Sequence, residues 1–206
     1  PDMNSLSVQA ASPDFAFDMD LLATGPLVFH GENGFSQKSA EGQASYYYSQ
    51  PFYKISGTLN LPEGDISVTG SAWLDREWSS QPLSDDQKGW DWFSLSFEDG
   101  EKMMGFQLRQ SDGNHYTSAT WIDVNGETQS YPDGAFMAEP IEEARVAGRD
   151  IPIRWRVRLS DRGLDAEVLA LMPKAWMDVS IPYWEGPVGI SGSHNGRGYL
   201  EMTGYQ

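Results

Sequence analysis

The stretches "EDGE", "SDGN" and "VNGE" constrain this chain more than any other feature, because each places Gly directly after Asp or Asn. Such pairs tolerate the positive backbone angles that a tight hairpin requires. They follow one another between residues 98 and 127, so the spacing predicts an up-and-down antiparallel meander there.

Alternating segments flank that region on both sides. "SLSVQA", "DFAFDMDLLA", "ASYYYSQPFYKISGTLNL" and "DISVTGSAWLDREW" precede it, and "IPIRWRVRLS", "LDAEVLALM", "VGISGS" and "GYLEMTGY" follow. Each is bounded by Gly, Asn, Asp or Pro, as strands are. In "RWRVRL", Trp155, Val157 and Leu159 alternate with Arg154, Arg156 and Arg158, which predicts a half-buried strand whose arginines pair with neighbouring carboxylates. Only "IEEARVA", residues 141 to 147, suggests one or two turns of helix. Many short strands with almost no helix predict an all-β antiparallel barrel or sandwich. The polar stretch "SSQPLSDDQKG", residues 79–89, is expected to be a linker or crossing loop between residues 1–78 and 90–206.

With 30 acidic residues against 14 basic ones, the net charge of -16 repels phosphate backbones, so no nucleic-acid partner is expected. The absence of cysteine removes disulfides, thiolate metal sites and cysteine nucleophiles. No run approaches the roughly 18 apolar residues of a membrane-spanning helix. The first residue is Pro1, and a processed or trimmed start is the expectation.

Residues 70 to 93 hold four of the eight tryptophans, together with Asp75, Glu77 and Asp91. On a strand, Trp73, Asp75 and Glu77 share one face, while Leu74, Arg76 and Trp78 share the other. Asp75 and Glu77 would then stand about 7 Å apart at their Cα atoms. A strand carrying Trp73 into an apolar cavity would desolvate the carboxyls beside it, raise their pKa and leave an acid protonated near neutrality. The competing reading is an outward acidic face paired with Arg76 or Lys88. Similar clusters recur: "SYYYS" presents Tyr46 and Tyr48 on one face and Tyr47 on the other, Asp91 lies between Trp90 and Trp92, and Glu185 follows Tyr183 and Trp184. Rings of this kind either pack a core or line a ligand cavity.

Other chemistries have weak signals. His30, His115 and His194 lack metal-ligand spacing, so neither metal nor cofactor is expected. "GISGS" lacks the strand–turn–helix setting of a nucleophile elbow, and "GSHNGRG" has no helix after it to hold a phosphate.

Together "ASYYYS", "GSAWLDREWSS", "GWDWF", "YWEG" and "GRGYLEMTGY" resemble the lipocalin-like family of carotenoid 1,2-hydratase (hydroxyneurosporene synthase) and the AttH-like proteins encoded beside ABC exporters. The resemblance implies two tandem lipocalin-like barrels: the end of a first one in residues 1–78 and a complete second one in 90–206, with an earlier segment of the same protein completing the first. It implies a hydrophobic ligand, isoprenoid or polyene-like, held among Tyr46, Tyr48, Trp73, Trp78, Trp90, Trp92, Tyr183, Trp184 and Glu185. Asp75, Glu77 and Asp91 would be the acids of a cofactor-independent hydration. It leaves open an extracytoplasmic binding protein working with ABC transporter components, or a cyclase that acts by templating its substrate in a pocket.

Overall fold

The computed structural model describes residues 3–81 and 84–205. Within them the chain is all-β, and its one helical element is a single 3-10 turn at Ser160–Arg162. The first sheet contains β1 (Ser5–Ala11), β2 (Ala16–Ala23), β3 (Val28–Phe29), β4 (Phe35–Gln37), β5 (Ala44–Leu61) and β6 (Gly64–Trp78). Strand β5 is its spine, pairing antiparallel with β2, β3, β4 and β6 along its length. An irregularity in the β5–β6 ladder between Gln50 and Tyr53 inserts one extra residue on β5, a bulge that bends the strand.

The second sheet begins with the meander β7 (Gln87–Phe97), β8 (Lys102–Gln110), β9 (His115–Ile122) and β10 (Thr128–Tyr131). The three expected hairpin turns connect these strands, and Gly100, Gly113 and Gly126 all have positive φ. The sheet continues with β11 (Phe136–Val146), β12 (Arg149–Leu159), β13 (Leu164–Ala170), β14 (Trp176–Met177), β15 (Tyr183–Gly192) and β16 (Gly196–Thr203). The spatial order is β10-β9-β8-β7-β16-β15-β13-β12-β11, with β14 added alongside β15. Strand β11 comes back against β8 and β9, so the sheet curls nearly closed.

Alternation explains what fills that curl. Strand β13 reads buried at Leu164, Ala166, Val168 and Ala170 and exposed between them. The same alternation on β7 and β12 turns Phe93, Leu95, Phe97, Trp155, Val157 and Leu159 inward, where Phe93 meets Phe136 and Trp155 edge to face at 5.9 and 5.5 Å. Each large side chain buried this completely contributes about 1.5–3 kcal/mol. The interior of the second sheet is therefore a packed core.

The segment "IEEARVA", expected to be helical, is instead the end of β11 up to Val146, with Ala147 in the turn that follows. One or two helical turns are unstable alone, whereas the ladder with β12 buries Val146 and sets Glu142 against Arg154. The arginines of β12 do pair with carboxylates: Arg154 with Glu142 at 3.2 Å, Arg156 with Asp165 at 2.7 Å and Arg158 with Glu139 at 3.1 Å. The chain crosses between sheets from Trp78 to Gln87, and the expected crossing loop includes Pro82 and Leu83, which lie outside the described residues.

Candidate active site

A cavity of about 1260 Å³ lies between the β5–β6 hairpin and the outer face of β7, β8, β15 and β16. Strand parity builds both walls. Along β7, Trp90, Trp92, Ser94 and Ser96 face the cavity, while Phe93, Leu95 and Phe97 face the core. Along β6, Trp73, Asp75 and Glu77 face it from the other side.

The ladder register gives Asp75 its partners. Ser49 stands directly opposite it, and its Oγ donates to Asp75 Oδ1 at 2.5 Å. Tyr47, one step along the same face, reaches diagonally and donates to the same oxygen at 2.7 Å. Trp92 Nε1, from the opposite sheet, donates to the Tyr47 hydroxyl at 2.8 Å. Behind Ser49, His30 Nε2 lies 2.6 Å from its Oγ. Asp75 is an exposed residue whose open surface lies toward the cavity, while its carboxyl sits among Ser49, Tyr47 and the other cavity-lining side chains. Burial raises its pKa, and the hydrogen bonds from Ser49 and Tyr47 only partly offset the rise. Burial also pushes the Tyr47 phenol well above its ordinary range, so Tyr47 stays a hydrogen-bond donor.

Glu77, the next cavity-facing acid, is held differently. Lys38 Nζ lies 2.6 Å from Glu77 Oε1, and Ser45 also donates to that oxygen. The ammonium of Lys38 sits 4.0 Å over the Phe106 ring. Burial lowers the Lys38 pKa, opposed by the charges of Glu77 and Asp75. Asp75 thus has neutral hydrogen-bond donors, while Glu77 has a cation.

The second sheet brings its own carboxylates. Glu201 and Glu185 are cross-strand partners on β16 and β15, and both line the cavity. Trp90 Nε1 donates to Glu201 Oε1 at 2.6 Å. Burial raises the Glu201 pKa, and the nearby acids Glu185, Asp75 and Glu77 push it the same way. Among the described residues no three of His, Asp and Glu converge as metal ligands.

Of the residues expected from sequence, the cavity brings together Trp73, Asp75, Glu77, Trp90, Trp92 and Glu185, with Trp78 at its edge. The remainder lie elsewhere. Tyr46 and Tyr48 point to the outer face of the first sheet, where both pack on Trp78 at 5.9 and 6.0 Å, and Tyr47 takes the inward place. Asp91 faces away from the cavity because its tryptophan neighbours face into it. It is fully buried, paired with Arg109 at 3.1 Å and hydrogen-bonded by Gln107 and the Tyr205 hydroxyl. Trp184 belongs to the packed core and donates to the Pro173 carbonyl. Tyr183 sits behind the wall, edge-on to Trp90 at 6.1 Å. Sequence reading missed Tyr47, Ser49, His30, Lys38 and Glu201. The signal for Tyr47 and Ser49 was their shared parity, which becomes informative only once the β5–β6 register is known.

An AttH-like family model matches residues 2–205. The chain belongs to the AttH-like family. A crystal structure assigned as an AttH from Nitrosomonas europaea matches the whole AttH-like chain at 36% identity and a TM-score of 0.92, and the match covers 67% of that protein. Kievitone hydratase from Nectria haematococca matches 97% of the chain at 21% identity and a TM-score of 0.81, over 64% of its own length. At that identity the likeness concerns the fold. No curated protein matches the chain.

Proposed function

We propose that this AttH-like protein hydrates a carbon–carbon double bond of an apolar, isoprenoid or polyene-like substrate, with Asp75 as the proton donor and no cofactor. The observation that carries this reading is the setting of Asp75: a carboxyl with a raised pKa, open to an aromatic cavity and contacted by neutral donors. A carboxyl whose pKa is raised keeps its proton to higher pH than an ordinary aspartate and can give that proton to an alkene carbon. A new C–H bond forms from the π pair, and a carbocation is left on the neighbouring carbon. The faces of Trp73, Trp90 and Trp92 stabilise that cation, each by about 0.5–2 kcal/mol. Water adds to the cation and returns one proton to the Asp75 carboxylate, which closes the cycle without oxidation or reduction.

The fold likeness to kievitone hydratase supports hydration as a chemistry this architecture hosts, and the resemblance of the tryptophan–acid motifs to those of carotenoid 1,2-hydratases supports an isoprenoid. The test is incubation with a panel of acyclic isoprenoids in heavy-oxygen water, followed by mass spectrometry. Product gaining one labelled water, lost in Asp75→Asn, is the expected result. Absence of labelled product across the panel, with tight retention of a polyene, would favour the second reading. That reading is a binding protein that presents an apolar metabolite to an exporter outside the cytoplasm, and the size of the cavity supports it.

A further inference from the structure

His30 takes no part in the hydration steps above, yet its ring closes the hydrogen-bond chain behind Asp75. It is fully buried at the end of β3, and its backbone N–H is tied to the Tyr47 carbonyl at 3.1 Å. The turn that follows depends on Gly31, whose φ is +67° and whose missing Cβ would collide with the Phe35 carbonyl. The imidazole packs on the Tyr47 ring at 4.2 Å. Its Nδ1 is buried and has no hydrogen-bond partner among the described residues.

With Oδ1 of Asp75 as the accepting oxygen, donor chemistry sets the direction of each hydrogen bond in this network. An indole N–H only donates, so Tyr47 accepts from Trp92 and gives its own proton to Asp75 Oδ1. Ser49 has one proton, and it also goes to Oδ1. Ser49 must then accept from His30, which makes His30 the neutral tautomer protonated on Nε2. Two relayed donor arms converge on one carboxyl oxygen.

We infer that His30 is a positioning residue: through Ser49 it fixes Oδ1 of Asp75 as the accepting oxygen, leaves Oδ2 to carry the transferable proton, and steadies the carboxylate formed when that proton leaves. The other titratable groups around this point are Tyr47, Lys38, Glu77 and, from the opposite wall, Glu201. Burial, aided by the Lys38 charge, holds the His30 pKa at about 3, so the imidazole stays neutral across the working range. The inference rests on Asp75 being the proton donor, but it is read without substrate.

The experiment is a carbon-13 titration of the Asp75 carboxyl, assigned with Asp75→Asn. Ser49→Ala and His30→Phe are each expected to raise its midpoint by about 0.5–1 pH unit, because a donor to the charged form is lost. His30→Gln, which keeps an N–H near the Nε2 position, is expected to restore it. A midpoint unchanged in His30→Phe, with only the melting temperature lowered, would overturn the inference. If His30→Phe does not fold, nitrogen-15 spectra of the wild-type histidines decide: an Nε2–H tautomer from about pH 5 to 8 supports the chain. An Nδ1–H tautomer or an imidazolium in that range overturns it. Failure of the chain leaves the hydration assay standing, and a negative hydration assay leaves the chain standing.

Discussion

Ser49 and Asp75 are direct cross-strand partners, with Ser49 Oγ 2.5 Å from Asp75 Oδ1. The contact is set by backbone register, so a one-residue slip of β5 against β6 would set Ser49 opposite Leu74 or Arg76 and leave the Ser49 and Asp75 side chains on opposite faces of the sheet. The long hairpin thus fixes the environment of the acid before any ligand arrives, and that environment has measurable consequences.

Asp75→Asn should stabilise the protein near neutral pH. Burial raises the folded-state pKa of Asp75 above its ordinary value of 3.8. The folded state therefore binds this proton more tightly than the unfolded chain does. The resulting stabilisation is complete below about 3.8 and is lost as pH rises through the folded-state pKa. Asparagine does not ionise, and its amide oxygen can take the place of Oδ1. Thermal melts should show a higher Tm for the variant near neutrality, with the gap closing in acid. A lower Tm at neutral pH would contradict the raised pKa.

Asp91→Ala should unfold the protein readily without weakening ligand retention. It leaves the Arg109 guanidinium, which is 17% exposed, without its anion. Breaking a buried pair from one side costs about 3–5 kcal/mol. Urea denaturation should show that loss, while binding of a neutral polyene such as diphenylhexatriene to the folded variant stays unchanged. Weaker binding with intact stability would place Asp91 in the ligand site.

Two tryptophans should separate stability from binding. Trp184 is fully buried in the core of the second sheet, so Trp184→Ala should cost about 3–5 kcal/mol and leave affinity intact. Trp73 forms cavity wall, so Trp73→Ala should weaken diphenylhexatriene binding about tenfold, the loss of ~1.4 kcal/mol of ring contact. Fluorescence titration beside urea melts reads both. An unchanged affinity in Trp73→Ala would remove the aromatic wall from recognition.

Much of the fold was legible from local chemistry. The Asp–Gly and Asn–Gly pairs fell on hairpin turns because positive φ is a requirement the residue itself announces. Trp73, Asp75 and Glu77 share a cavity face because parity within one strand needs no knowledge of any other. The sequence reading grouped Asp91 with its tryptophan neighbours and Glu185 with Trp184, and the structure separates both groups because adjacent strand residues face opposite ways. What local reading could not supply was which side of β5 meets the cavity, since Tyr46, Tyr47 and Tyr48 are chemically alike and only pairing distinguishes them. His30 was illegible for a related reason: it reaches Ser49 across 19 residues, and an isolated histidine carries no spacing signal. The segment at 141–147 read as helix because its charges lie close together in sequence, while their actual partners lie on β12.

The packed interior of the second sheet has one more consequence. A barrel whose lumen holds a ligand must trade packing for space, so every enlargement of the binding site weakens the scaffold. Here the lumen is solid and the cavity is a seam between two sheets, lined in part by a second, smaller cluster of Tyr47, Phe106 and Leu108 that is separate from the lumen core. Ser94, Ser96 and Tyr199 face the cavity, while Phe93, Leu95 and Leu200 on the reverse of the same strands fill the lumen core. Cavity and lumen core thus occupy opposite faces of the same strands, so a substitution at Ser94 or Ser96 changes the shape of the seam without touching the packing of the lumen.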